Sequence, residues 1–253
     1  MNVARAGRDW AGWRPEHPAV ICNDVPNSWA ELDARSDRIA RGLRAAGVGK
    51  GARVGLLLSN RLEAPLLTIA ALKLGAIVVP LNFRLTASEL KPLLDDAECA
   101  VVVTEAAFLD NLAAARGSNT FAVYAVDGTD KRSFADLEIA HGAVPQAEIA
   151  ADDPAFICYT SGTTGHQKGA LLTHRSAMHP GLAKNMAEGL TWRDSIMVAV
   201  PFVYTGAIIS CFIQLTVVAG GAVVLTAVSL LILVEVGAAV RDRLRRGHGR
   251  ALP

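Results

Sequence analysis

Apolar and polar positions fall in blocks along this chain. Four short apolar runs carry no charge: Val54-Gly55-Leu56-Leu57-Leu58, Ala76-Ile77-Val78-Val79-Pro80, Cys99 to Val103, and Phe121 to Val126. An unbroken apolar run of this length is the mark of a strand buried on both faces. Between these runs lie segments of helical character. Ser28-Trp29-Ala30-Glu31 is a capping box, and the helix after it puts Leu32, Ile39 and Leu43 on one face. Asn60 to Leu74 reads as a helix closed by Gly75. Thr86-Ala87-Ser88-Glu89 is a second capping box, opening a helix toward Asp96. A further helix is expected from about Ala106 to Ala115. Strands alternating with helices predict an α/β fold, layered around a mainly parallel sheet.

The edges of this pattern are less regular. Residues up to about Pro26 read as a lead-in, with Ala19 to Cys22 as an edge strand. Gly47-Val48-Gly49-Lys50-Gly51 follows a helix and precedes a strand. That order is wrong for phosphate binding, so it reads as a helix stop and turn. Gly128 to Asp153 is polar and irregular, a connection between two sheet regions. His174 should open a helix toward Glu188 as a capping or packing residue, because no Ser/His/Asp arrangement surrounds it. Ser195 to Val200 reads as a strand.

Composition narrows the class. The chain has 253 residues, 51% of them hydrophobic, and a formal net charge of +1. That is enough for a real core, and it argues against a disordered tail or a general nucleic-acid binder. Cys22, Cys99, Cys158 and Cys211 show no C-x-x-C spacing and read as reduced, mostly buried thiols of a cytoplasmic protein. The N-terminus has no apolar h-region.

The chemistry concentrates in one stretch, Tyr159-Thr160-Ser161-Gly162-Thr163-Thr164-Gly165-His166-Gln167-Lys168-Gly169, between the apolar runs Ala155 to Tyr159 and Ala170 to Leu172. Glycines let backbone N–H groups approach an anion, hydroxyls add donors, and Lys168 adds a point charge. The spacing is not that of a Walker A loop, since Lys168 stands three residues after Gly165.

This stretch closely resembles the phosphate-binding loop of the adenylate-forming enzymes: acyl-CoA synthetases, luciferases and peptide-synthetase adenylation domains. Their pattern is Y-T-S-G-T-T-G-x-P-K-G, and only Gln167 departs from it, where proline is usual. Val79-Pro80-Leu81-Asn82-Phe83-Arg84-Leu85-Thr86 resembles the V-P-L-N-x-R-L-T segment of the CoA ligases, and Ser28 to Ser59 resembles their opening. Pro201-Phe202-Val203-Tyr204-Thr205-Gly206 resembles the family's second signature, with Tyr204 where many relatives carry histidine.

The resemblance implies an ATP-dependent acyl-CoA synthetase acting on a carboxylic acid, with ATP, Mg2+ and coenzyme A. It implies phosphate binding by Thr160, Ser161, Gly162, Thr163, Thr164, Gly165 and Lys168. Tyr204, Thr205 and Gly206 would border the acyl pocket. The resemblance covers about residues 15–226, a partial AMP-binding domain. Residues 227–253 form an atypical tail, in which an apolar run to Val240 precedes Arg241, Arg243, Arg245, Arg246 and Arg250. An apolar segment with a basic flank fits a membrane anchor, and it also fits a prematurely ended reading of a longer gene. Full-length relatives are roughly twice as long, so the expectation is an N-terminal portion inactive alone. The alternative is a non-catalytic remnant or membrane-associated fragment with at most residual nucleotide binding.

Overall fold

The computed structural model describes residues 3–128, 132–144, 147–160, 167–198, 200–204, 208 and 222–225. In chain order the elements are α1 (Val3–Trp13), β1 (Pro18–Cys22), β2 (Val25–Ser28), α2 (Trp29–Ala45), β3 (Arg53–Leu57), α3 (Glu63–Lys73), β4 (Ile77–Pro80), α4 (Ala87–Ala97), β5 (Val101–Glu105), α5 (Leu109–Arg116), β6 (Ala122–Val126), β7 (Pro154–Thr160), β8 (Lys168–Thr173), α6 (His174–Glu188), β9 (Ser195–Val198) and β10 (Ala222–Leu225).

Two sheets result. Six strands run in the order β6-β5-β3-β4-β7-β8, all parallel except the β7–β8 hairpin. Four more run β2-β1-β10-β9. The mixed α/β architecture with a mainly parallel sheet is the one the block pattern predicts.

The apolar runs explain why the larger sheet is covered on both sides. Alternate residues of one strand feed different cores. Val54, Leu56, Val78, Val101 and Val103 join α2 and α3 in one cluster. Leu57, Val79 and Val102 join Leu90, Leu93 and Leu94 of α4 and Leu112 of α5 in another. Period-2 side-chain alternation thus places helices on opposite faces. The chain leaves β3 toward β4 on one side and returns to β5 on the other. The carboxyl ends of β3 and β5 therefore form a topological switch point, the crevice where open α/β sheets take their ligands.

Both capping boxes form as expected. Ser28 and Glu31 satisfy each other's backbone N–H groups at the start of α2, and Thr86 and Glu89 do so at α4. Gly47 (φ 90°) and Gly51 (φ 78°) make the turn between α2 and β3, a conformation open to glycine.

The start of the chain differs from expectation. The lead-in is a helix and a hairpin. Trp10 of α1 packs on Trp29, with ring centroids 6.4 Å apart. Asn23 and Asp24 take positive φ (50° and 62°), as a tight two-residue hairpin turn requires. β1 is not an edge strand. It pairs with β2 on one side and β10 on the other, and β10 comes from some 200 residues further on. Strand β9 stops at Val198, two residues short of the expected Val200.

Cys22, Cys99 and Cys158 are buried. Among the described residues no helix is long and apolar enough to cross a membrane. Cys211 and the 227–253 tail lie outside the described residues.

Candidate functional site

The phosphate-loop sequence sits on a hairpin. Strand β7 lies parallel to β4, with Val78 beside Phe156, so its carboxyl end emerges on the same edge of the sheet as Pro80. Strand β8 returns antiparallel, and Thr160 pairs with Lys168 at the mouth. Thr160 Oγ1 lies 3.5 Å from the Lys168 carbonyl, and both residues are exposed. The hydroxyl and the ammonium are therefore available to an anion. Ser161, Gly162, Thr163, Thr164 and Gly165 lie outside the described residues.

The stem is held from below. The Tyr159 hydroxyl donates to Asp96 Oδ2 of α4 at 2.6 Å, with the Leu93 carbonyl at 3.3 Å. Burial, reinforced by the Asp96 carboxylate, holds this phenol well above its usual pKa, so it stays a donor.

The second signature packs against the segment that follows β3. Asn60 Nδ2 donates to the Val200 carbonyl at 3.0 Å, and Asn60 Oδ1 accepts from the Phe202 amide at 2.6 Å. Phe202 is buried, and with Val203 it closes a small crevice lined by Leu56, Leu58, Ala64 and Pro80. The lining is wholly apolar, and the space, about 10 Å³, is no larger than one water molecule needs. Tyr204, next in the chain after Val203, is 44% exposed, while Thr205 and Gly206 lie outside the described residues.

Sequence reading passed over Asn60 and Asp96. It also passed over Arg61, which lies next to Asn60 at the same edge. Arg61 contacts Glu63 at 2.7 Å, Asp127 at 2.8 Å and Glu105 at 3.4 Å. Burial works against its charge, but the hydrogen bonds to Asp127 and Glu63 outweigh burial and raise its pKa further. This network ties together the carboxyl ends of β5 and β6 and the start of α3. Only its position after a buried strand signalled it. Among the described residues, no group of three histidine, cysteine or carboxylate side chains is arranged to hold a metal ion.

The stem of the hairpin that carries the hydroxyl- and glycine-rich sequence and the apolar crevice under Phe202 both lie at the carboxyl edge of the larger sheet. The chain matches the AMP-binding enzyme family over residues 8–235 and belongs to it. It is 35% identical over 186 residues to the long-chain-fatty-acid–CoA ligase FadD13 of Mycobacterium tuberculosis, which covers 73% of this chain and 37% of that protein. It is 33% identical over 212 residues to a feruloyl-CoA synthase of Amycolatopsis sp, covering 83% of this chain and 41% of that protein. The inhibitor-bound N-terminal domain of FACL13 from Mycobacterium tuberculosis superposes with a TM-score of 0.82 at 30% identity, over 92% of this chain and 59% of that one. The α/β fold is thus that of acyl-CoA ligase N-terminal domains. The chain spans about two fifths of the length of these curated relatives.

Proposed function

We propose that this chain carries the ATP- and acyl-binding part of an ATP-dependent acyl-CoA synthetase. The observation that supports this best is the eleven-residue loop sequence Tyr159 to Gly169 on a hairpin at the carboxyl edge of the sheet. Thr160, Ser161, Gly162, Thr163, Thr164, Gly165 and Lys168 hold the β- and γ-phosphates of ATP. Tyr204, Thr205 and Gly206 border the acyl group, next to the apolar crevice under Phe202.

In the reaction a carboxylate oxygen bonds to the α-phosphorus of ATP and the α–β bridging bond breaks, releasing pyrophosphate and leaving acyl-AMP. The thiol of coenzyme A then bonds to the acyl carbon and AMP departs. The first step joins two anions, so positioning and charge neutralisation carry it. Lys168 supplies positive charge at the loop mouth, and Mg2+, when bound to the triphosphate, supplies more. The reaction takes place in the cytoplasm.

Turnover is expected to need more than these 253 residues. Holding triphosphate in one loop provides only part of the positioning. Each absent transition-state contact costs roughly 2.7–4 kcal/mol by analogy with an oxyanion donor. Two experiments test the reading. Lys168→Ala combined with Gly165→Val is expected to abolish the ATP-dependent thermal shift of the purified chain, and an unchanged shift would refute the phosphate assignment. Hydroxamate trapping of acyl-AMP with short, medium, long-chain and aryl acids is expected to give no signal above background. A signal with any acid would show the chain to be a complete adenylating unit and would name its substrate class. The 227–253 tail is taken as foreign to the domain, so truncation after Leu225 should leave solubility equal or better.

A further inference from the structure

Tyr159 and Gly169 open and close the loop sequence. The two are cross-strand partners in the β7–β8 ladder. Gly169 does not take a positive φ, so its backbone does not demand glycine. Its surroundings do. A Cβ added there would lie 3.0 Å from Ile157 Cγ2, 3.3 Å from Tyr159 Cε1 and 3.5 Å from Asp96 Oδ2. The missing side chain is the space across which the Tyr159 ring lies. Crossing it brings the hydroxyl to Asp96 Oδ2 at 2.6 Å and to the Leu93 carbonyl at 3.3 Å. Asp96 is in the last turn of α4, which packs on the sheet through Leu90, Leu93 and Leu94.

Strand β8 needs such a hold. Among the described residues it is an edge strand of the sheet, paired on one side only, and Lys168 through Leu171 are all exposed. Few apolar contacts fix its position, and such an edge opens at low free energy. Thr160 and Lys168 follow directly from Tyr159 and precede Gly169 in the chain, so the angle of the hairpin sets where both groups point.

We infer that Asp96 is a positioning residue, which locks the stem of the loop to the sheet by accepting the Tyr159 hydroxyl across the gap that Gly169 leaves open. This rests on the phosphate-loop reading above. The inner residues of the loop serve the ligand, and its two outer residues serve the anchor.

The test uses the purified chain. Backbone amide exchange is followed in peptides spanning 156–171, and Mg·ATP affinity is measured by titration. Tyr159→Phe and Asp96→Ala are each expected to speed exchange in those peptides and to weaken Mg·ATP binding, both by about tenfold, the scale of one lost hydrogen bond. Peptides from β3 and β5 should be unaffected. Asp96→Asn keeps an acceptor oxygen and should restore most of both properties. A general structural role for Asp96 predicts faster exchange in α4 and β5 as well, which would overturn the inference. Unchanged exchange in Tyr159→Phe, or Asp96→Asn as damaging as Asp96→Ala, would overturn it too. If the variants loosen the stem while the unmodified chain binds no Mg·ATP, the anchor stands and the phosphate reading falls.

Discussion

Asn60 and Phe202 are 142 residues apart in sequence and 2.6 Å apart across one hydrogen bond. The same side-chain amide donates to the Val200 carbonyl, so one asparagine satisfies both a donor and an acceptor of the turn that closes the apolar crevice. The carboxyl end of β3 is thereby joined to the turn that follows β9 of the second sheet. Asn60→Ala should leave the part-buried Phe202 amide and the exposed Val200 carbonyl without these partners and destabilise the chain by roughly 1–2 kcal/mol. Asn60→Asp keeps the acceptor, loses the donor and sets a charge against the Val200 carbonyl, so it should be no milder. Denaturant midpoints of the two variants check this, and an Asn60→Ala midpoint equal to the parent's would remove Asn60 from the account.

Gly169→Ala probes the close approach in the hairpin directly. The added methyl meets Ile157 and the Tyr159 ring at or inside ordinary contact, so the ring must shift or the strands must part. Overpacking of this kind costs roughly 1–3 kcal/mol. The expected readout is a lowered melting temperature together with a change in near-ultraviolet tyrosine dichroism. The chain has only three tyrosines, which makes the signal assignable with Tyr159→Phe as reference.

Lys73 joins α3 to α2 through a buried ammonium. Its Nζ lies 2.6 Å from Asp33 Oδ1, 2.7 Å from Asp37 Oδ1 and 2.8 Å from Ser36 Oγ, with its side chain only 5% exposed. Lys73→Met leaves two carboxylates facing each other with most of their compensation gone, although Arg8 remains 3.5 Å from Asp37. The expected loss is roughly 3–5 kcal/mol. Adding Asp33→Asn and Asp37→Asn to that variant should recover part of it in urea unfolding. Equal stability of single and triple variants would mean that the carboxylates are not held by Lys73.

The features legible in the sequence are local or periodic. Ser28–Glu31 and Thr86–Glu89 could be read because a capping box spans four residues. The sheet could be read because Val54 to Leu57 and Val101 to Val103 are apolar on both of their alternating faces. Missed features depend on partners far along the chain. β1 looks like an edge until β10, which starts at Ala222, pairs with its free side. The helix Val3–Trp13 has no acidic residue in its first turn and no basic one in its last, so no terminal charge marks it as a helix. Its place depends on Trp10 finding Trp29. Asn60, Arg61 and Asp96 each look like ordinary surface polar residues. Distant partners turn them into contacts: Phe202 for Asn60, Glu105 and Asp127 for Arg61, and Tyr159 for Asp96. The loop itself was found by resemblance, since hydroxyls and glycines in a turn carry little information without it.

His174 gives the chain a predictable acid sensitivity. It is the first residue of α6 and fully buried, while Thr173 serves as the cap. The Val3 amide donates to its Nδ1 at 3.3 Å, so that nitrogen must be unprotonated, and Nε2 is buried without a hydrogen-bond partner among the described residues. Burial is the main cause that depresses its pKa to about 4. Asp153 pulls the other way, and Lys50 adds to the depression. In the unfolded chain the value returns to about 6.5. Between those two pH values the unfolded state holds a proton that the folded state refuses, so stability rises with pH across the window. The contribution is complete above about pH 6.5 and is lost progressively as pH falls toward 4. At roughly 1.36 kcal/mol per pKa unit it amounts to about 3 kcal/mol. His174→Gln cannot titrate, so its unfolding free energy should vary less steeply from pH 6.5 to 4, by up to one proton's worth of slope. The carboxylates that the fold keeps ionised, Glu138 and Asp153 among them, act at lower pH and remain in both proteins. Parallel stability curves for the parent and His174→Gln across that window would show that the imidazole is hydrated and titrates normally, and that α1 does not seal it.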